Sequence, residues 1–358
     1  MSLIRTDAMN PKIVDLFCGA GGLSLGSHRA GFQTAFALDI DQILTSSYKT
    51  NFPGASLILR DLSRVSDQDL RDAGKRPDGV VGGPPCQAFS EIGRRSPTDP
   101  RRRLIFQFFR AVVALEPKFF VFENVRGLSF PENYRLVERG IKRLDGRWTI
   151  LGPVILDSQE FGAPTRRKRL FLFGFDASRM SVPTLAWLTK PIQTRLTVRD
   201  AIADLSRARA LGVDSRGFDE WAYSLNGQIS AYAARMRSKT GSFSGHRKTI
   251  HTKSALLRFE KVGPGEIDKV GKYKRLEWGG VSPTLRAGTG NDRGSYQAVR
   301  PLHPTQNRVI TPREAARLQG FPDSFIFHPT VWHSCRMIGN SVSPVLAERL
   351  LKRIYECL

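Results

Sequence analysis

The chain is 358 residues long, enough for one large domain or two of ordinary size, and 41% of its residues are hydrophobic. That fraction fills a substantial core, so a chain that is disordered throughout is excluded. Its 55 basic side chains exceed its 33 acidic ones, and the formal net charge of +22 favours a polyanionic partner, most often a nucleic acid. Composition alone leaves a ribosome-associated or merely basic protein open. Because the arginines are spread in short clusters through patterned sequence, they favour a shaped binding surface over a basic tail.

The apolar runs and the cysteines indicate the cellular compartment of the protein. No apolar run reaches membrane-spanning length, and the first predicted strand starts near Lys12, which leaves no room for a signal peptide. The four cysteines, Cys18, Cys86, Cys335 and Cys357, are few and irregularly spaced. Such spacing is typical of a reducing compartment, where a cysteine is buried or chemically active rather than disulfide-bonded. We therefore expect a cytoplasmic protein.

Short apolar runs alternate with helical patterns in the first half of the chain. The predicted strands cover residues 12–17, 34–39, 56–59, 79–82, 119–123, 148–156 and 170–175. Amphipathic helical patterns cover residues 23–30 and 104–115. This rhythm predicts an α/β fold with a doubly wound, mostly parallel sheet. The last two strands are separated by a loop alone, which predicts an antiparallel pair at the edge of the sheet.

The pattern changes near Arg179. From there to about Pro304 the chain is rich in Gly, Ser, Arg and Thr and has weak periodicity, which predicts a second, smaller domain of irregular structure. Helical patterns return at residues 312–319 and 342–356, and we expect the last helix to pack back onto the first domain. The predicted division is therefore a discontinuous domain of residues 1–185 plus 335–358, with residues 186–334 as the second domain.

A nucleoside site is predicted at the ends of the first three strands. Residues 15–22 read DLFCGAGG between the first strand and the first helix, where glycines permit a tight turn and a close approach of the backbone to a ligand. Asp39 ends the second strand, where a carboxylate can accept from ribose hydroxyls, and Asp61 follows the third, within reach of an adenine amino group. Each aspartate alone is more often a solvated residue or a helix cap. The loop lacks the G-x-G-x-x-G spacing of dinucleotide sites, so an adenosine carrying an amino-acid tail fits better.

Reactive side chains follow the next strands. Residues 82–90 read GGPPCQAFS, which places Cys86 at the carboxyl edge of the sheet behind two prolines that stiffen the backbone. Glu123 ends the fifth strand beside it, in the segment FENV. Arg167 and Arg169 alternate onto one face if their segment is extended. A lone cysteine in a turn is often inert, and lone arginines are usually solvated, so the combination carries the interpretation.

Taken in order, these segments resemble the motifs of the DNA (cytosine-5)-methyltransferase family of the bacterial type. The matching segments are DLFCGAGG, the acidic strand end, PPCQ, ENV, an R-x-R after G-x-P, TPREAARLQGFP at residues 311–322 and GNSV at residues 339–342. The resemblance runs from about Ile13 to Val345 and is broken only by the variable middle region. It implies a Rossmann-like methyltransferase sheet that uses S-adenosyl-L-methionine, with a smaller target-recognition domain. The implied reaction is methylation of C5 of a specific cytosine in double-stranded DNA, without a metal.

The resemblance also implies residue roles. Cys86 attacks C6 of a flipped-out cytosine, and Glu123 contacts N3 and supplies or holds a proton there. Arg167 resembles the arginine that braces the base, and Arg169 resembles its support. Phe17 looks like the ring that packs on adenine, and the other matching cofactor positions are Gly19, Gly21, Asp39, Ile40, Asp61, Pro84, Asn340 and Val342. The DNA contacts implied are Ser90 and Arg101, in a loop expected to close over the base, and Thr284 and Leu285.

Three departures from the family pattern concern detailed contacts. Asp39 stands where glutamate is commoner, and Thr165 replaces a frequent glutamine beside the arginine pair. Residues 101–103 read RRR, which is unusually basic for the end of the loop that follows Cys86. Sequence choice is expected to lie in roughly residues 208–285 rather than in the catalytic domain, because groups that serve every cytosine carry no information about its neighbours. The groove-edge donors expected there are Arg235, Arg237, Lys239, His246, Arg247, Lys248 and Arg258. The alternative is a basic clamp with specificity from DNA deformability.

Two other functions share parts of this pattern. An RNA methyltransferase of the same family carries a Cys-Phe-Thr signature, but no cysteine lies between Cys86 and Cys335. A catalytically silent DNA-binding regulator is disfavoured because every chemical group is present. The cluster of His328, His333 and Cys335 lacks the paired short spacing of a metal site, so no metal is expected there. We expect a monomer on the bacterial nucleoid and leave a functionally paired restriction endonuclease open.

Overall fold

Seven strands form the main sheet of a computed structural model, which describes residues 10–85, 89, 99–224, 227–287 and 300–358. The strands are β1 (Lys12–Leu16), β2 (Gln33–Asp39), β3 (Ser56–Leu59), β4 (Gly79–Gly82), β5 (Phe119–Val125), β6 (Trp148–Asp157) and β7 (Lys168–Asp176). Their order in the sheet is β3-β2-β1-β4-β5-β7-β6. β1 to β5 are parallel, and β7 runs antiparallel between β5 and β6. The doubly wound, mostly parallel sheet and its antiparallel edge pair are confirmed.

Helices cover both faces of this sheet. The described helices are α1 (Gly22–Ala30), α2 (Tyr48–Asn51), α3 (Asp67–Gly74), α4 (Leu104–Leu115), α5 (Pro131–Ile141), α6 (Leu185–Leu188), α7 (Val198–Ile202), α8 (Ala231–Met236), α9 (Lys253–Glu260), α10 (Pro312–Gln319), α11 (Val331–Asn340) and α12 (Pro344–Tyr355). One face of the sheet packs on α3, α4 and α5, and the other packs on α1 and α12. Among the described residues no helix is long and apolar enough to span a membrane.

Alternation along each strand explains why both faces are covered. Phe120 and Phe122 of β5 join the cluster with Phe108 of α4, while Phe119 and Val121 point to the opposite cluster. Strands that are buried on both faces are continuous apolar runs, which is the pattern that predicts a parallel sheet.

The last helix, α12, packs back onto the first half of the chain, as the sequence predicts. Leu346 and Leu350 share a buried cluster with Leu23 of α1. Gly26 permits this close approach, because a Cβ there would lie 2.4 Å from the Cβ of Ala347. The C-terminal segment therefore belongs to the same body as the amino-terminal strands.

The second region contains a small antiparallel sheet of β8 (Arg209–Val213), β9 (Asp219–Ala222) and β10 (Ser242–Phe243), with β9 in the middle. Its core is not separate, because Ile202 and Phe243 join one hydrophobic cluster with Cys18 and Phe52 of the first half. The same cluster includes Ala315 and Leu318 of α10, which the predicted division assigns to the second domain. The division at residues 185 and 335 stays a prediction.

Candidate active site

The glycine loop after β1 is a tight turn against β2. The backbone N–H groups of Phe17 and Cys18 both donate to the carbonyl of Leu38, at 2.7 and 3.1 Å. Phe17 and Gly19 have φ values of 62° and 51°, so the chain turns through left-handed conformations before α1. No atom lies within 4 Å of a Cβ added to Gly19, which leaves open space above the loop.

Asp39 holds this loop from the end of β2. Its carboxylate accepts from the backbone N–H of Gly19 and from that of Asp41, each at 2.8 Å. Burial raises the pKa of Asp39, and these hydrogen bonds act in the opposite direction. Each carboxylate oxygen has a second lone pair, so the group can still accept from a ribose hydroxyl. Ile40 follows with 64% of its surface exposed, an apolar side chain at the same edge of the sheet.

Asp61 and Pro84 extend the edge to β3 and β4. Asp61 caps the short helix that follows β3, since its carboxylate accepts from the backbone N–H and the hydroxyl of Ser63 at 2.9 and 2.8 Å. Asp61 is therefore a helix cap, the alternative role that the sequence left open for it, and its carboxylate keeps further lone pairs for a ligand. Pro84 is buried two residues beyond the end of β4.

The C-terminal motif lies against the glycine loop although more than 300 residues separate them in the sequence. A Cβ added to Gly22 would lie 2.4 Å from the carbonyl oxygen of Val342, so the start of α1 and this segment touch. Gln319 fixes the segment by donating to the carbonyl of Ser341 at 2.8 Å. Asn340, at the end of α11, is exposed. The structure thus brings Val342 and the predicted adenosine edge together.

Glu123 and Arg169 form a largely buried ion pair at the carboxyl end of β5. The distance from Arg169 Nε to Glu123 Oε1 is 3.1 Å, and the two side chains are 14% and 10% exposed. Burial raises the pKa of Glu123, while the charges of Arg169 and Arg167 lower it. A carboxyl with a raised pKa can hold a proton at a pH where an exposed glutamate has lost it.

Two residues near this carboxyl shape the backbone around it, and the sequence alone assigns neither a role. Gly83 leaves room for it, because a Cβ there would lie 2.7 Å from Glu123 Oε2. Asn124, which is 1% exposed, donates to the carbonyl of Pro84 at 3.0 Å and so ties β5 to the chain that precedes Cys86. The only sequence signal for Asn124 is its place in the segment FENV.

Arg167 is 1% exposed and turns toward the backbone. It donates to the carbonyl of Leu285 at 3.1 Å and to that of Gly339 at 2.8 Å. It therefore joins β7 to the end of the variable region and to the C-terminal motif. Of the two arginines, Arg169 is the one that forms the ion pair with Glu123.

Cys86 and Ser90 lie outside the described residues. Pro84 on one side is held by Asn124, and Phe89 between them is 1% exposed, with the guanidinium of Arg102 4.7 Å from its ring centroid. Arg101 is exposed and pairs with Asp99, with Nε 2.9 Å from Oδ1.

The Thr-Leu segment docks on the chain that leads into β7. Ser282 and Thr165 form a parallel bridge, and the backbone N–H of Arg166 donates to the carbonyl of Ser282 at 2.8 Å. Thr284 is exposed and its hydroxyl donates to the carbonyl of Arg166 at 2.7 Å, whereas Leu285 is 5% exposed. The end of the variable region is thus fixed to Thr165 and Arg166, the two residues directly before Arg167.

The structure corrects part of the expected set of groove-edge donors. His246 is 1% exposed, its backbone N–H bonds Asp219 at 2.8 Å and its ring bonds the hydroxyl of Thr311, so it cannot reach DNA from there. Arg237 stacks on Tyr223 and pairs with an aspartate, which occupies its guanidinium.

The remaining expected donors differ in exposure. Arg258 lies 3.7 Å from a carboxylate of Asp268. Those with exposed side chains are Arg235, Lys239, Arg247 and Lys248. Within the described part of the chain, no group of three His, Cys, Asp or Glu side chains is placed to hold a metal ion.

The sheet order and the loops at its carboxyl edge define a Rossmann-like methyltransferase fold, and comparison with known proteins gives the family. The family described as C-5 cytosine-specific DNA methylase matches residues 11–356. The chain therefore belongs to the C-5 cytosine-specific DNA methylase family and is a DNA (cytosine-5)-methyltransferase.

Individual relatives match over nearly the whole chain. The type II methyltransferase M.XorII of Xanthomonas oryzae pv. oryzae is 39% identical, over 97% of this chain and 85% of its own. M.NgoPII of Neisseria gonorrhoeae is 30% identical, over 98% and 97%. A crystal structure described as a DNA modification methyltransferase encoded within a prophage, from E. coli, superposes with a TM-score of 0.82 at 35% identity, covering 97% of this chain and 99% of that one.

Proposed function

We propose that the enzyme moves a methyl group from S-adenosyl-L-methionine to C5 of a specific cytosine in double-stranded DNA, through a covalent bond between Cys86 and C6. The observation that carries the proposal is the buried pair of Glu123 and Arg169 beside the chain that leads into Cys86. This pair lies at the same sheet edge as the glycine loop, where ligands bind in doubly wound folds. A methyl donor and a base would therefore meet between β1 and β5.

The residues at the glycine loop fit the proposed cofactor. Gly19 faces open space, Asp39 keeps lone pairs for the ribose, and exposed Ile40 offers an apolar surface to adenine. Phe17 lies at the turn itself, and Val342 lies against the start of α1. The remaining proposed contacts are Gly21, Asp61, Pro84 and Asn340. When bound, S-adenosyl-L-methionine supplies an electrophilic methyl group.

The protein must make C5 nucleophilic, because cytosine C5 reacts poorly with a sulfonium methyl group. The thiolate of Cys86 adds to C6 while Glu123 donates a proton to N3, so that electron density moves to C5. After C5 gains the methyl group, a base removes the C5 proton, and the electron pair of that bond forms the C5–C6 double bond and expels the thiolate. N3 then returns its proton to Glu123. Arg169 holds the Glu123 carboxyl in place, and Arg167 braces the segment that carries Arg169.

The target base must leave the duplex to reach this pocket, because the reacting atoms are inaccessible in a stacked pair. Contacts from Ser90, Arg101 and Thr284 are proposed to offset the cost of unstacking, whereas the side chain of Leu285 packs in the hydrophobic core. Thr284 is exposed beside the segment that Arg167 anchors, which puts it at the boundary of the catalytic edge and the variable region. The second region, proposed as residues 186–334, reads the surrounding sequence.

The relatives named type II methyltransferases suggest the setting. We propose that this enzyme protects DNA against a restriction endonuclease with the same recognition sequence, and that it acts as a monomer in the bacterial cytoplasm. Double-stranded DNA is its substrate and principal partner.

Expression of the chain in a host that lacks cytosine methylation tests the proposal. Bisulfite sequencing of a resident plasmid should show 5-methylcytosine at one recurring sequence, and Cys86→Ala should abolish the signal because covalent activation is lost. Cys357→Ala is the matched control, since Cys357 is a partly buried thiol at the C-terminus. Undiminished methylation by Cys86→Ala would contradict the proposed mechanism.

A further inference from the structure

A short basic loop in the second region projects one apolar side chain into solvent. Residues 247–250, which we call the basic finger, carry exposed Arg247 and Lys248 followed by Thr249 and Ile250. Ile250 is 96% exposed, more than any other large hydrophobic residue recorded in the described chain. The next is Ile40 at 64%, which the proposed cofactor site already uses.

Both ends of the basic finger are held, so its position is fixed. His246 before it is buried, with its ring bonded to Thr311 at 2.9 Å and packed edge-on against Trp221. His251 after it packs edge-on against Phe259 at 5.1 Å and accepts from the backbone N–H of Val309 at 3.3 Å. A four-residue loop between two anchored rings loses little further conformational entropy when it binds.

The basic finger combines features that a DNA groove can match. Arg247 and Lys248 provide charge for phosphates, and Ile250, the last residue of the basic finger, has an exposed side chain that forms no hydrogen bonds. The apolar group that duplex DNA presents at a base edge is the C5 methyl group of thymine, which lies in the major groove and makes apolar contacts with proteins. An isolated exposed isoleucine is ordinary on a protein surface, but one that follows two exposed cations in an anchored loop has a definite complement on DNA.

We propose that Ile250 reads a thymine methyl group in the recognition sequence, while Arg247 and Lys248 bind the flanking phosphates. This inference rests on the proposed function, because it specifies how the second region chooses its site. It assigns specificity to one side chain of the variable region, where the sequence alone indicated only basic donors. It predicts that the recognition sequence contains at least one T·A pair.

Selection of bound duplexes from a randomised pool tests the assignment without requiring catalysis. The wild type should enrich a sequence with thymine at one or more positions, and Ile250→Ala should lose preference at one of them. Val213→Ala is the matched control, because Val213 is 60% exposed on β8 in the same region, and it should leave every preference unchanged. Because Ile250 has almost no buried surface, its replacement should leave folding intact.

Replacing the selected thymine by uracil then removes only the methyl group. The wild type should bind the uracil duplex roughly fivefold more weakly, as expected for one lost apolar contact, whereas Ile250→Ala should bind both duplexes equally. The double variant Arg247→Ala/Lys248→Ala should weaken binding to all sequences alike and reduce the salt dependence by about two phosphate contacts.

Three results would overturn the assignment. These are unchanged base preferences in Ile250→Ala, an equal uracil effect in wild type and variant, and a wild type that selects no sequence. Failure of the proposed reaction is distinguishable, because binding is measured without methyl transfer. A protein that selects its site normally but forms no 5-methylcytosine would refute the reaction and leave the role of Ile250 intact.

Discussion

The sheet and the second region are stabilised by different means. In the sheet, buried phenylalanine, valine and leucine side chains from both strand faces fill two apolar clusters. Around α10, fully buried arginines supplement the hydrophobic cluster that joins the two regions. Arg317 pairs with Asp204 and Asp323 at 2.9 and 2.6 Å, and Arg313 donates to the carbonyls of Ser244, Pro322 and Phe325.

This difference shows how an irregular region can hold a defined shape. Loop carbonyls lack the partners that a sheet or helix supplies, and a buried carbonyl without a partner is costly. A guanidinium offers five N–H donors, so one arginine can satisfy several loop segments. Arg275 does so at the other end of the region, with bonds to the carbonyls of Phe259, Val262 and His303. The catalytic residues can therefore lie on the regular sheet, while the loops of the second region can vary and select the DNA sequence.

The comparison predicts that a substitution at the sheet edge lowers the rate of methyl transfer without weakening cofactor binding. Glu123→Gln should lower the turnover number by roughly 10²–10⁴-fold, because proton donation to N3 is lost, and should leave cofactor affinity nearly unchanged. Single-turnover kinetics and cofactor titration measure the two effects separately. Exposed Glu138→Gln is the control. Equal losses in turnover and cofactor affinity would show that Glu123 contacts the cofactor and not the base.

Damage to the arginine network should act on stability instead. Arg317→Met leaves the carboxylates of Asp204 and Asp323 without their buried partner, and it should lower the free energy of unfolding by about 3–5 kcal/mol. Arg216→Met removes an exposed pair with Asp214 and should lower the free energy of unfolding far less, because solvent screens that pair. Denaturant unfolding of both variants measures the contrast. Similar losses would show that the buried network is not what holds the second region.

The pH dependence of stability should show a smaller effect at a second buried ion pair, that of Arg308 with Glu314. Burial alone would raise the pKa of Glu314, but the hydrogen bonds and charge of Arg308 outweigh it and hold the pKa at about 2, below the usual 4.5. The folded state therefore binds fewer protons than the unfolded state in this range, so the contribution of Glu314 is present above about pH 4.5 and is lost as pH falls toward 2. The stability difference between wild type and Glu314→Gln should shrink over that window. A constant difference would contradict this account.

The regular elements were predictable from sequence, and the second region's contacts were not. Residues 56–59, 79–82 and 104–115 were predicted with the bounds that the structure has, because apolar runs ended at polar or glycine residues. The buried partners of Arg167 lie 118 and 172 residues away, so no local pattern could reveal that this arginine turns inward. His246 was expected at a DNA groove for the same reason, since its ring partner Thr311 is 65 residues distant.

The site was predictable to the extent that motifs follow strand ends. Asp39, Glu123 and the glycine loop lie at one sheet edge because parallel strands end together. The approach of Val342 to α1 depends on the path of α12 across the sheet, which periodicity could not give. Asn124 was overlooked because a buried amide next to a stronger acid has no distinctive spacing.

The central claim is that Cys86 forms a covalent bond to the target cytosine, and a trapping experiment tests it most directly. A duplex that contains the recognition sequence found by bisulfite sequencing, with 5-fluorocytosine at the target, is incubated with enzyme and S-adenosyl-L-methionine. Because fluorine at C5 cannot leave as a proton does, the thiolate cannot be expelled after methyl transfer. The wild type should form a denaturation-resistant complex whose DNA adduct maps to Cys86, and Cys86→Ala should form none. Normal methylation of the unmodified duplex without any trapped complex on the fluorinated one would contradict the claim.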